Sequence, residues 1–231
     1  MKKNFLIYCF SLAVVAVIFV YPSHVSAGGY KPEISGSFES GDRLYTDPGN
    51  SDWDYPRDEN FVDYLRYNKQ WLKYKQKLAP YEYYYLKFER YEREYDIKSA
   101  YDNISYKIEG NYTFYLKEGL RNRIKIMLRD KDYTKSEIKS YHIARINYSW
   151  QFSLNEKHDY EIFLQKQWTK YYNDKDKDYN KDRVGISWGW KINSDLDIDT
   201  KFQVERQLHN SRSDSTDKFA KKISIKFKYK L

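Results

Sequence analysis

Residues 104–116 read ISYKIEGNYTFYL, and polarity alternates along them. Ile104, Tyr106, Ile108, Tyr112, Phe114 and Leu116 share one parity, with Gly110 among them. Ser105, Lys107, Glu109, Asn111, Thr113 and Tyr115 take the other. Successive side chains of a strand point to opposite faces, so this segment is a ribbon with one apolar-aromatic face and one polar face. Such a ribbon packs its oily side on a protein core in a soluble fold. In an outer membrane it turns that side to lipid and the polar side inward.

The pattern recurs along the chain. Tyr84, Leu86 and Phe88 alternate with Tyr85, Lys87 and Glu89; Ile124, Ile126 and Leu128 alternate with Arg123, Lys125, Met127 and Arg129. Ala144 to Leu154, Tyr160 to Leu164, Val184 to Ile192, Leu196 to Val204 and Ile223 to Leu231 follow the same two-residue period, which a helical spacing does not match. Short connections at 78–80, 117–120, 155–158 and 193–195 alternate with longer polar ones near 40–60, 95–102, 131–140, 173–182 and 209–218. Short turns at one end and long loops at the other predict an all-β, up-and-down antiparallel transmembrane β-barrel. Ten strands are expected, with eight and twelve as alternatives. Residues 61–77 are clean on neither parity, which suggests a bulge that switches faces midway. The competing fold is a soluble β-sandwich or lipocalin-like barrel, but the opposing faces are too charged to form its core.

The first residues set the compartment. Lys2 and Lys3 precede the apolar run FLIYCFSLAVVAVIFV (5–20), and Val25-Ser26-Ala27 fits a small-residue cleavage site. Residues 1–27 are expected to be a signal peptide and residues 28–231 an outer-membrane β-barrel domain; an uncleaved anchor is the alternative. Cys9, the one cysteine, lies inside that leader, so the remainder offers no disulfide or thiolate site. Net charge is +8, of which Lys2 and Lys3 supply two, leaving +6 for residues 28–231. Mean hydropathy is −0.94, yet 19% of residues are aromatic, 26 of them Tyr. A disordered chain would be poor in rings. Ribbons oily on one side and girdled with Tyr and Trp give this mixture.

With the apolar parity facing lipid, Arg121, Arg123, Lys125 and Arg129 point inward from one segment, and Lys107, Arg145, Arg183 and Lys201 join them. These are the candidate pore-lining residues. Glu89, Glu109, Asp197, Asp199 and Glu205 are fewer, so the track is either a salt-bridged plug or a narrow channel favouring anions. His142, His158 and His209 form no nucleophile motif with their neighbours; His209 with Ser211 and Asp214 is the one imaginable hydrolase site, and no enzyme activity is expected. Asp174, Asp176 and Asp178 faintly suggest a calcium loop but lack its glycine and distal Glu, so no metal or other cofactor is expected.

The chain resembles outer-membrane porin-type barrels. Its basic interior and the segments WKINSDLDI (190–198) and ISIKFKYKL (223–231) are similar to the oligogalacturonate-specific family of small monomeric porins for acidic oligosaccharides. That resemblance implies a narrow pore lined by Arg121, Arg123, Lys125, Arg129 and Arg145 that passes acidic sugars. The family has twelve strands where ten are counted here, and the last residue is Leu231 rather than an aromatic. The expected function is a porin-like channel with a weak preference for small anionic or sugar-like solutes. The alternative is a closed structural or surface-binding barrel. Outer-membrane lipid is the expected partner, nucleic acid is not, and the expected state is a monomer in a bacterial outer membrane.

Overall fold

The computed structural model describes residues 30–46, 62–96, 99–117, 119–209 and 217–229. The leader at 1–27 and the acidic segment with Asp47, Asp52, Asp54, Asp58 and Glu59 fall outside them. Ten strands follow in chain order: β1 Glu33–Thr46, β2 Val62–Ala79, β3 Glu82–Tyr95, β4 Asn103–Lys117 and β5 Leu120–Tyr133. The second half comprises β6 Tyr141–Asn155, β7 His158–Tyr171, β8 Tyr179–Lys191, β9 Leu196–His209 and β10 Lys218–Tyr229. Each strand pairs antiparallel with its chain neighbours in a single sheet. The tightest turns join β2 to β3, β4 to β5 and β6 to β7. In the second of these Gly119 takes φ +75°, a conformation glycine adopts freely. Three connections are shorter than the sequence suggested, because Ser40–Thr46 already belong to β1, Lys131–Tyr133 to β5 and Tyr179–Asp182 to β8.

The two faces separate as the alternation requires. Ile126, Leu128, Ile146, Ile162, Leu164, Val184, Ile186, Phe202, Ile223 and Ile225 are exposed on one face. Met127, Ile143, Phe163 and Gln167 are buried on the other. A soluble fold would bury the first set, so the oily side is the outside. Beside the short turns the outer face carries an aromatic girdle. Phe152 stacks on Tyr160 at 5.3 Å, Trp188 on Trp190 at 5.7 Å, and Tyr148 meets Trp150 edge-on at 4.5 Å. Amphipathic rings are favoured at that interface. Replacing Ile186 by Arg is expected to cost about 2–4 kcal/mol if it lies near the bilayer midplane. Urea unfolding of the protein refolded into vesicles measures the loss, and an unchanged midpoint would place Ile186 away from hydrocarbon.

β2 corrects one expectation. Its register with β1 runs unbroken, and against β3 it shifts only between Lys77 and Ala79, at the turn. No bulge switches its faces midway. Leu65, Tyr67, Trp71, Lys73 and Lys75 all point inward, and Arg66, Asn68, Gln70, Leu72 and Tyr74 outward. The parity is blurred because lysines line the inner face over rings: Lys73 Nζ lies 4.6 Å from the Tyr85 ring centre and Lys87 Nζ 5.0 Å from that of Trp71.

β1 and β10 are the two edges of the sheet, and among the described residues no ladder joins them. Ile34, Phe38, Ile223, Ile225 and Phe227 on these edges are all exposed.

Candidate functional site

All eight candidate pore-lining residues stand on the inner face, because each shares parity with Lys107 through an unbroken chain of cross-strand partners. Most are paired. Glu89 accepts from Lys87 at 3.0 Å and Lys107 at 3.2 Å. Glu109 takes Lys125 at 2.9 Å and the Tyr85 hydroxyl at 2.7 Å. Arg123 reaches across β6 to Glu161 on β7 at 2.6 Å. Glu205, almost fully buried, receives Arg183 at 2.5 Å and Lys181 at 3.1 Å. Arg121 donates to Gln151 near the short turns. Lys201 has its ammonium 4.4 Å from the Phe163 ring centre.

Arg129 and Arg145 differ from the rest. Arg145 donates through Nε and Nη2 to the neutral oxygen of Gln167, at 3.0 and 2.7 Å, and Gln167 is held in turn by Thr169 at 3.1 Å. Arg129 has no carboxylate within ion-pair reach among the described residues, and its buried Nε has no hydrogen-bond partner. A guanidinium bound only to a neutral amide keeps most of its field available to an incoming anion.

These two arginines line a polar cavity of about 350 Å³ together with Lys107, Arg123, Lys125, Glu109, Tyr83 and Tyr85. Five of its lining side chains are cationic and one is a carboxylate. Arg123, Asn147 and Gln165 also line a second cavity of about 230 Å³, which includes Arg183 and Lys201. That one shares Glu161 and Ser187 with a third, of about 440 Å³, at the short-turn end beside Arg121 and Asp199. The inner face therefore carries a row of polar spaces that share lining residues. Tyr83, Asn147, Gln165 and Gln167 were not singled out from sequence. Their inward parity was readable, but nothing marked these uncharged groups as neighbours of Arg129 and Arg145.

The three histidines are placed apart. His158 stacks against Trp188 and Trp190 on the outer face and accepts from Trp188 Nε1 at 3.1 Å. His142, also facing outward, meets Asp130 at 3.2 Å, and the Tyr172 hydroxyl donates to the same carboxylate at 2.5 Å. Burial and that carboxylate push the Tyr172 pKa up. His209 contacts Gln207 at 2.7 Å, and its backbone N–H donates to Asp217; Ser211 and Asp214 lie outside the described residues. In the 173–182 segment, Asp178 accepts the Tyr171 N–H at 2.7 Å and Asp174 pairs with Lys177 at 3.1 Å.

The sequence matches no family model and no curated protein. In fold, OmpT, an outer membrane protein of Vibrio cholerae, aligns with a TM-score of 0.53 at 7% identity, over 84% of this chain and 76% of that one. The NanC porin matches over 71% of this chain and 74% of its own at 15% identity, with a TM-score of 0.44. LpxR from Salmonella typhimurium matches over 96% of both chains at 10% identity, with a TM-score of 0.41. One expectation is corrected here: the reading of the chain as a non-enzyme does not stand. The fold shared with OmpT does not by itself decide whether a chain is catalytic, so catalysis is left open. The ten-stranded up-and-down sheet and the outward apolar band give this chain the fold of the outer-membrane β-barrels.

Proposed function

We propose that the chain forms a narrow, water-filled path that admits small anionic or acidic sugar-like solutes. The supporting observation is the cavity at Arg129 and Arg145, where five cations face one carboxylate and two guanidinium groups have no acidic partner among the described residues. Four of the eight candidate cations are neutralised by Glu89, Glu109, Glu161 and Glu205, so the selecting field comes from the remainder and not from the track as a whole. Tyr83 and Tyr85 add flat rings on which a sugar face can rest.

The full-length protein in planar bilayers is expected to give a small conductance whose reversal potential in a salt gradient reports anion preference. Arg129→Glu with Arg145→Glu places two anions among the remaining cations and is expected to abolish or reverse that preference. Arg121→Gln, at the short-turn end, should leave its sign unchanged. No conductance at all, or cation preference in the unmodified protein, would leave the closed structural barrel as the reading.

A further inference from the structure

The outer face carries a feature that the channel reading does not use. Between β6 and β9 lies an apolar groove of about 450 Å³. Its floor is Ile146, Leu164, Val184 and Val204, aligned across four strands or one step off in register. Val184 and Val204 are direct partners and short, while their neighbours Ile186 and Phe202, also paired, are longer, so the surface dips at the valines. The groove's edge on the long-loop side is polar: Lys166, Asp182 and Arg206 stand side by side across β7, β8 and β9. Lys166 pairs with Asp182 at 3.0 Å. Arg206 is exposed and has no ion-pair partner among the described residues, so this outward-facing row is net positive.

An acyl-sized apolar trough ending in the net-positive row Lys166, Asp182 and Arg206 on a lipid-facing surface complements an anionic lipid. We propose that it binds a phosphate-bearing lipid of the leaflet on the long-loop side, one acyl chain along the valines and the phosphate on Arg206 and Lys166. Arg and Lys at this depth extend toward the headgroups, and a guanidinium binds phosphate in bidentate fashion. Lys166, Asp182 and Arg206 lie toward the long-loop ends of β7, β8 and β9, which fixes the leaflet.

The test is thermal unfolding of the full chain in neutral detergent with lipid A, phosphatidylcholine or inorganic phosphate added. Lipid A is expected to raise the unfolding temperature. Lys166→Gln with Arg206→Gln should weaken its apparent affinity roughly tenfold, as the loss of a charge-assisted contact does. Val184→Phe, which fills the trough and leaves the charges intact, should weaken it as well. Each variant's unfolding temperature without lipid, read in the same scan, separates lost binding from lost folding. An equal shift with phosphatidylcholine, a shift reproduced by inorganic phosphate, or undiminished binding in both variants would overturn the proposal.

Discussion

A disulfide between β1 and β10 is expected when Ser37→Cys is combined in turn with Ser224→Cys, Lys226→Cys and Lys228→Cys. All four side chains face inward, as their partners in β2 and β9 show. One combination should oxidise efficiently in the refolded protein and thereby report the closing register, since a disulfide demands Cβ atoms about 4 Å apart. The physical ground is the bilayer. An edge strand in hydrocarbon leaves its outward-directed N–H and C=O groups without partners, and over the 12 residues of β10 that amounts to tens of kcal/mol, on the order of a few per group. The two edges are also complementary. Lys222, Lys226 and Lys228 face inward on β10 and Glu33 and Glu39 on β1, while Ile34 and Phe38 would meet Ile223, Ile225 and Phe227 outside. Oxidation of none of the three would mean that Ser37 lies opposite none of Ser224, Lys226 and Lys228.

Gly185→Ala should lower stability by about 1–3 kcal/mol, the usual range for forcing atoms into a packed site. A Cβ at Gly185 would lie 2.5 Å from two ring atoms of Phe163 and 2.7 Å from the Phe202 carbonyl oxygen. The ring is buried and roofed by Lys201, and the carbonyl belongs to the backbone of β9, so neither can retreat easily. Phe163→Ala alone should cost about 3–5 kcal/mol. The double variant should cost less than the two added, because the smaller side chain removes half of the clash. Strict additivity in denaturant unfolding would show that the glycine is not there for the ring.

The strands that fixed the fold class were legible because their two faces differ in kind. In β4, in 144–154 of β6 and in 184–190 of β8 every second residue is apolar or aromatic, and the structure puts that parity outside. β2 was opaque for a physical reason: lysines over tyrosine and tryptophan rings make its inner face half aromatic, while Arg66, Asn68 and Gln70 make its outer face half polar. Hydrophobicity cannot separate such faces. At the candidate site the inward side of each cation followed from parity alone. Its partner did not, because Arg123 finds Glu161 two strands away and Lys107 finds Glu89 only in one register. Asn122 was hidden for the opposite reason. It sits on the lipid parity yet is fully buried, its oxygen accepting the Tyr148 hydroxyl at 2.8 Å beneath the girdle.

The strictly sequential order of the sheet has a bearing on how the molecule assembles. Every ladder joins strands adjacent in the chain, so contacts form between near neighbours, and hairpins can add one after another at little entropic cost. Meeting of the first and last strands is the single event that spans nearly the whole chain, and it can come only after the rest of the sheet exists. Variants in the inner hairpins should therefore slow the appearance of strand structure. Variants on Glu33–Thr46 or Lys218–Tyr229 should leave that phase unchanged and instead trap a nearly complete sheet with two bare edges, a template for pairing with other chains. Faults at the ends would surface as aggregation, and faults in the middle as delay.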